Sequence, residues 1–111
     1  MKGVHGMNSM ELLRELARSD KIAFKKHALL RMHQRGISAE EIKEALMEGE
    51  VIEEYPEDKP LPSFLVLGYA GERPLHVVVA LDLEERMIWV ITAYEPSIEM
   101  WEEGFRRRVK R

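Results

Sequence analysis

The 111-residue chain carries 17 Lys or Arg against 20 Asp or Glu, a net charge of −3, and has no cysteine. That length suits one domain with an ordinary buried core, and the missing cysteines exclude disulfides and thiolate metal sites. No stretch approaches the roughly 18 consecutive apolar residues of a membrane span, and the N-terminus lacks a signal-peptide run. The expectation is one domain over 1–111, cytoplasmic and without membrane contact.

The charge is segregated. Residues 11–35 hold seven Lys or Arg against three acids, residues 36–105 hold four against seventeen, and 106–111 are five cations and a valine. Local potential, more than the total, decides which ligands such a surface accepts.

Residues 1–8 read as a flexible leader. Asn8 followed by Glu11 has the form of a capping box, and Met10, Leu13, Leu16 and Ala17 then recur at helical spacing, predicting a first helix from Ser9 to Arg18. Ile22, Ala23 and Phe24 are an apolar bridge, either extended or the entry to the next helix. That second helix is predicted from Lys25 to Arg35, ended by Gly36 as the left-handed residue. Ser38 with Glu41 caps a third helix, with Ile37 and Ile42 at the two positions of a hydrophobic staple, and this helix buries Ile42, Ala45 and Leu46 and stops near Gly49.

From Glu50 the pattern turns to strands. EVIEEY is followed by the proline-rich PEDKPLP, an irregular connection. SFLVLGYA, RPLHVVVALD and MIWVITAYE are rich in β-branched and aromatic residues and are joined by hairpin-length turns. Helices and strands do not alternate, so the class is α+β: N-terminal helices on a four-stranded antiparallel β-meander. Pro96 and Ser97 introduce a predicted short C-terminal helix, IEMWEEGF, weakened by Gly104, and 106–111 read as a basic tail, either frayed and solubilising or functional.

The segment from His27 to Ser38 is the chemically informative one. His27, Arg31 and Arg35 lie at i, i+4 and i+8, so their side chains stack along one flank of the second helix, at the edge of its core-facing arc. No Asp or Glu occurs from Lys21 to Ala39, so these cations have no carboxylate partner within their helix. Lys25 and Lys26 sit at the positive end of the helix dipole, where cations do not stabilise a helix. His27 suits proton transfer near neutral pH, and Arg31 and Arg35 present planar forks matched to phosphate oxygens. On the strands, His76 interrupts an apolar run, and Thr92 and Tyr94 point to one face together.

Such a set suits metal-free RNA cleavage, which takes a base for the 2′-hydroxyl proton, an acid for the leaving 5′-oxygen and cations for the phosphate. Structural roles compete at each position: His76 as a hydrogen-bond donor to a carbonyl, Arg31 and Arg35 as ion-pair partners of Glu40, Glu41, Glu44, Glu53 or Glu54, and Thr92 and Tyr94 as ordinary strand residues. There is no phosphate loop, zinc-protease motif or calcium loop, and His27 and His33 face different directions on the helix, so no cofactor and no metal are expected.

HALLRMHQRGISAEEI, EEYPEDKP, RPLHVVVALD and ITAYEPSIEMWEEGFRRR, in that order, resemble the domain of unknown function family 4258, a family of small bacterial proteins; the resemblance covers Phe24 to Arg108. Lys25 departs from it, standing where such proteins often carry Ser or Thr as a helix cap. The resemblance implies a relation to compact RelE-like and barnase-like RNase toxins, with His27, Arg31, Arg35, His76, Thr92 and Tyr94 as the matching site. It also implies RNA as substrate, in a ribosomal context or free, and an antitoxin protein as partner. The expectation is a metal-independent endoribonuclease, the toxin of a toxin–antitoxin pair. The alternative is a non-catalytic module binding RNA or protein through the same stripe. A third possibility, a plain oligomerising domain, predicts that the stripe is saturated by internal carboxylates.

Overall fold

Both capping boxes form. In the computed structural model, which describes residues 8–110, the Asn8 side chain accepts from the Glu11 N–H at 2.8 Å and opens α1, Ser9–Arg18. Ser38 Oγ accepts from the Glu41 N–H at 3.0 Å while the Glu41 carboxylate accepts from the Ser38 N–H at 2.9 Å, opening α3, Ala39–Met47. Between them α2, Lys26–Arg35, ends on Gly36 at φ 66°, and the N–H of Ile37 returns to the Met32 carbonyl. Arg73 completes that end by donating to the carbonyls of Arg35 and Gly36, which the helix itself leaves without partners. Lys25 is the N-cap of α2 and makes no side-chain capping bond.

The apolar bridge before α2 is extended: it is strand β1, Ile22–Phe24. The remaining strands are β2 Glu50–Tyr55, β3 Ser63–Ala70, β4 Arg73–Asp82 and β5 Met87–Tyr94. The sheet order is β1-β5-β4-β3-β2. The expected four-stranded antiparallel meander is therefore corrected to a five-stranded mixed sheet, in which β2 to β5 are antiparallel neighbours and β1 runs parallel to β5, Ala23 opposite Trp89. Three residues show no periodicity, and the pairing that makes them a strand is with residues more than sixty positions away.

The helices cover one face. α3 lies over β3 and β4, α1 packs on α3, and α2 runs beside β5. Leu13, Ile42 and Leu46 interlock there with Val66, Val77 and Val90, all fully buried; each contributes about 1.5–3 kcal/mol through its burial. The approach of α3 to β3 is closest at Gly68, where a Cβ would stand 2.0 Å from the Ala45 carbonyl oxygen.

Two β-bulges set what the other face presents. Ile52 is unmatched in the β2–β3 ladder and Ile91 in the β5–β4 ladder, so side-chain parity reverses at each. Glu50 and Glu53 consequently share a face although three residues apart, and so do Trp89, Thr92 and Tyr94.

The predicted C-terminal helix does not form. Ser97 holds a single turn, its carbonyl accepting from Trp101 and Met100, after which the chain reverses at Gly104 and Phe105, both at positive φ. Trp101 then bridges antiparallel to Arg108, and the Glu102 and Val109 amides bond back to Arg107 and Met100. This C-terminal hairpin lies on the helix-free face, with Trp101 buried. Nor are residues 106–108 a frayed tail. Arg106 forks onto Glu50 at 2.9 and 2.8 Å, Arg108 onto Glu53 at 2.9 and 3.0 Å, and Arg107 pairs with Glu102. The leader over residues 1–7 lies outside the described residues. Among these, no helix is long and apolar enough to cross a membrane.

Candidate functional site

The six residues singled out from the sequence fall into two groups. The first is on the helix-free face. His76 on β4 lies opposite Tyr94 on β5, and its ring is wholly buried. Nε2 donates to the Phe105 carbonyl at 2.9 Å, Nδ1 faces the Tyr94 hydroxyl at 3.4 Å, and the Trp101 ring meets the imidazole edge-on at 4.4 Å. Burial pushes the His76 pKa below its ordinary value, against the opposing pull of the Phe105 bond and the Glu53 carboxylate. Burial likewise raises the Tyr94 phenol. The Arg108 fork holds Glu53 below the usual carboxylate range, and Tyr55 donates to the same carboxylate. His76 is thus neutral, satisfied and sealed by the hairpin, a position that suits a structural donor.

The second group lies along α2. The Lys25 N–H donates to the Val90 carbonyl at 3.0 Å, which starts the helix beside β5. Ten residues later Arg35 Nη1 donates to the Ala93 carbonyl at 2.8 Å and approaches Thr92 Oγ1 at 3.4 Å. The flank that carries Arg35 therefore meets the helix-free face at the β5 edge. Helical repeat places Arg31 and His27 on this flank, one and two turns back. Both are exposed; Arg31 donates to Gln34 at 3.1 Å, and the His27 ring makes no hydrogen bond among the described residues.

Trp89 was not among the residues singled out from sequence. The ammonium of Lys25 lies 4.8 Å from its ring centroid, joining the start of α2 to the same β5 face as Thr92 and Tyr94. Its parity in sequence is opposite to theirs, and only the bulge at Ile91 brings the three together.

The electrostatics separate the two groups. Arg73, Arg106, Arg107 and Arg108 are paired with Glu41 and Glu95, Glu50, Glu102 and Glu53 respectively. Among the described residues, no ion pair involves Lys25, Lys26, Arg31 or Arg35. Three acids of the stretch after residue 40, Glu41, Glu50 and Glu53, are thus taken by Arg73, Arg106 and Arg108, and α2 keeps uncompensated positive charge. No group of three or more His, Asp or Glu side chains among the described residues is placed to hold a metal.

The family model described as a domain of unknown function, DUF4258, matches residues 24–95. The chain belongs to this family. The DUF4258 match runs from the last residue of β1 to just past β5, so it contains all of α2, both bulges and all six residues singled out from the sequence, and it stops short of the C-terminal hairpin. No curated protein and no solved structure matches the chain.

Proposed function

We propose that this protein acts on RNA along α2, as a metal-independent endoribonuclease and the toxin of a toxin–antitoxin pair. The observation that carries this reading is that, among the described residues, no carboxylate pairs with Lys25, Lys26, Arg31 or Arg35, whereas Arg73 and Arg106 to Arg108 are all paired and Arg14 and Arg18 are tied to the Gly49 and Met47 carbonyls. A plain oligomerising domain would have saturated the stripe internally. Here the counter-ion is left to a ligand, and phosphate suits the forks of Arg31 and Arg35.

In the reaction, His27 takes the 2′-hydroxyl proton as the 2′-oxygen attacks phosphorus. Arg31 and Arg35 hold the charge on the phosphoryl oxygens, the bond to the 5′-oxygen breaks, and that oxygen leaves with a proton. The products are a 2′,3′-cyclic phosphate and a 5′-hydroxyl. Tyr94, partly exposed on the adjoining face, is the remaining proton donor on this flank; His76 supports Tyr94 from beneath and does not reach the ligand.

One observation favours a second reading. With His76 sealed by Trp101 and Phe105, the stripe offers a single exposed histidine for two proton transfers, and a module that binds RNA, or a partner protein, without cleaving it needs none. The two readings part in a gel assay of cellular RNA with purified protein in excess EDTA, beside folded His27→Ala and Arg31→Ala. Cleavage that survives EDTA and is lost in both variants supports the nuclease. Intact RNA in every lane, including with ribosomes present, together with salt-sensitive binding lost in Arg31→Ala, supports the binding module.

A further inference from the structure

We propose that the RNA held along α2 is single-stranded, with its bases stacked on the β5 face that carries Trp89 and Tyr94; this rests on the reading of α2 as an RNA surface. The two rows run side by side. Lys25 stands over the Trp89 ring at one end, and Arg35 reaches Thr92 and the Ala93 carbonyl at the other. Along the helix flank the cations run from Lys25 at the N-cap to Arg35 at the last residue of α2, about 15 Å in rise, a longer seat than the one phosphate that Arg31 and Arg35 clamp. Along the strand, Trp89 and Tyr94 share a face because of the Ile91 bulge and lie roughly 13 Å apart at ordinary strand rise. A strand of phosphates and a strand of bases have parallel seats.

Lys25 stands over one face of the Trp89 ring, and the ring's neighbours across the sheet crowd it little. Across the sheet it is flanked by Ala23 on β1 and Ala80 on β4, with Ser63 on β3 beyond. All three are small, and Trp89 is partly exposed among them. A large aromatic among small neighbours offers a π-surface to any base, which is how unpaired strands are held without sequence preference. A duplex keeps its bases stacked inward and offers the protein phosphates and groove edges instead. The cations alone would accept either form; the aromatic row favours the open strand.

The test is a fluorescence-anisotropy titration with a labelled 2′-O-methyl RNA oligonucleotide, which lacks the attacking hydroxyl, and with the same strand annealed to its complement, at one fixed salt concentration. The single strand is expected to bind at least about ten-fold more tightly. Trp89→Leu is expected to weaken single-strand binding by roughly five-fold or more, the lower end of the loss of one stacked base, while Trp89→Phe keeps most of the affinity and Arg31→Ala weakens both forms. Quenching of tryptophan emission in the wild-type protein by the single strand and not by the duplex supports the proposal independently of any variant. Equal affinity for the two forms, or full affinity in folded Trp89→Leu, overturns this inference and leaves the RNA reading standing. No binding of either form by folded wild-type protein overturns both.

Discussion

Nε2 of His76 donates to the carbonyl oxygen of Phe105 at 2.9 Å, a bond that ties the centre of β4 to the turn of the C-terminal hairpin. The same imidazole is the floor under Trp101. Truncating it removes a donor from a part-buried carbonyl and a packing surface from the tryptophan. We expect His76→Ala to cost about 1–3 kcal/mol in urea unfolding, and to speed tryptic cleavage at Arg106 to Arg108. Cleavage at the wild-type rate would mean the hairpin is held without this bond.

The depressed pKa of His76 sets a pH dependence. Unfolded, the ring takes a proton near its ordinary value of 6.5, whereas folded it stays neutral to lower pH. The unfolded state therefore binds more protons in that interval, and stability falls as pH drops from about 6.5 toward the folded value. His76→Gln should flatten this part of a urea-midpoint-against-pH curve. A separate loss begins below 4.5, where Glu50 and Glu53, held low by Arg106 and Arg108, take up protons; Gln at 76 should leave it intact.

Gly68 is where α3 meets β3 backbone to backbone. A Cβ there would lie 2.0 Å from the Ala45 carbonyl oxygen, and neither partner is the end of a flexible side chain. Gly68→Ala should lower stability by at least about 2 kcal/mol, toward the upper end of overpacking costs. The chemical-denaturation midpoint measures it; an unchanged midpoint would show that α3 shifts freely on the sheet.

Lys25 caps α2 without a capping bond and covers Trp89. Lys25→Ser supplies the missing acceptor and removes a cation from the positive end of the helix, so it should raise stability by about 0.5–1 kcal/mol. The same change should weaken RNA binding. A variant that is both more stable and binds RNA as tightly as wild type would sever Lys25 from the proposed surface.

Arg31 and Arg35 should separate by assay. Arg35 bonds the Ala93 carbonyl, so Arg35→Ala is expected to lose about 1 kcal/mol of stability as well as affinity. Arg31 bonds only Gln34 on its own helix, so Arg31→Ala should leave the unfolding midpoint unchanged. It should still reduce the slope of log affinity against log salt by about 0.7, the share of one phosphate on a single strand. An unchanged slope would place Arg31 outside the contact.

Local chemistry determined much of this protein and was legible in residue order. The capping boxes of Asn8 and Ser38, the left-handed Gly36 and the β-branched and aromatic runs of β3 to β5 act within a few residues of chain, so the helices and long strands follow from sequence. The acid-free run of α2 was legible too, because it is a property of composition, but that no distant carboxylate pairs with Arg31 or Arg35 was not. The tertiary structure alone decided the rest. β1 exists because Val90 and its neighbours on β5 offer it a ladder. The hairpin replaces a helix because Glu50, Glu53 and His76 reward its arginines and the Phe105 carbonyl. The bulges at Ile52 and Ile91 decide which side chains share a face. Each depends on hydrogen bonds between segments distant in the chain, and a bulge leaves no mark in a hydrophobic pattern; Trp89 therefore joins Thr92 and Tyr94 only once the strands are paired.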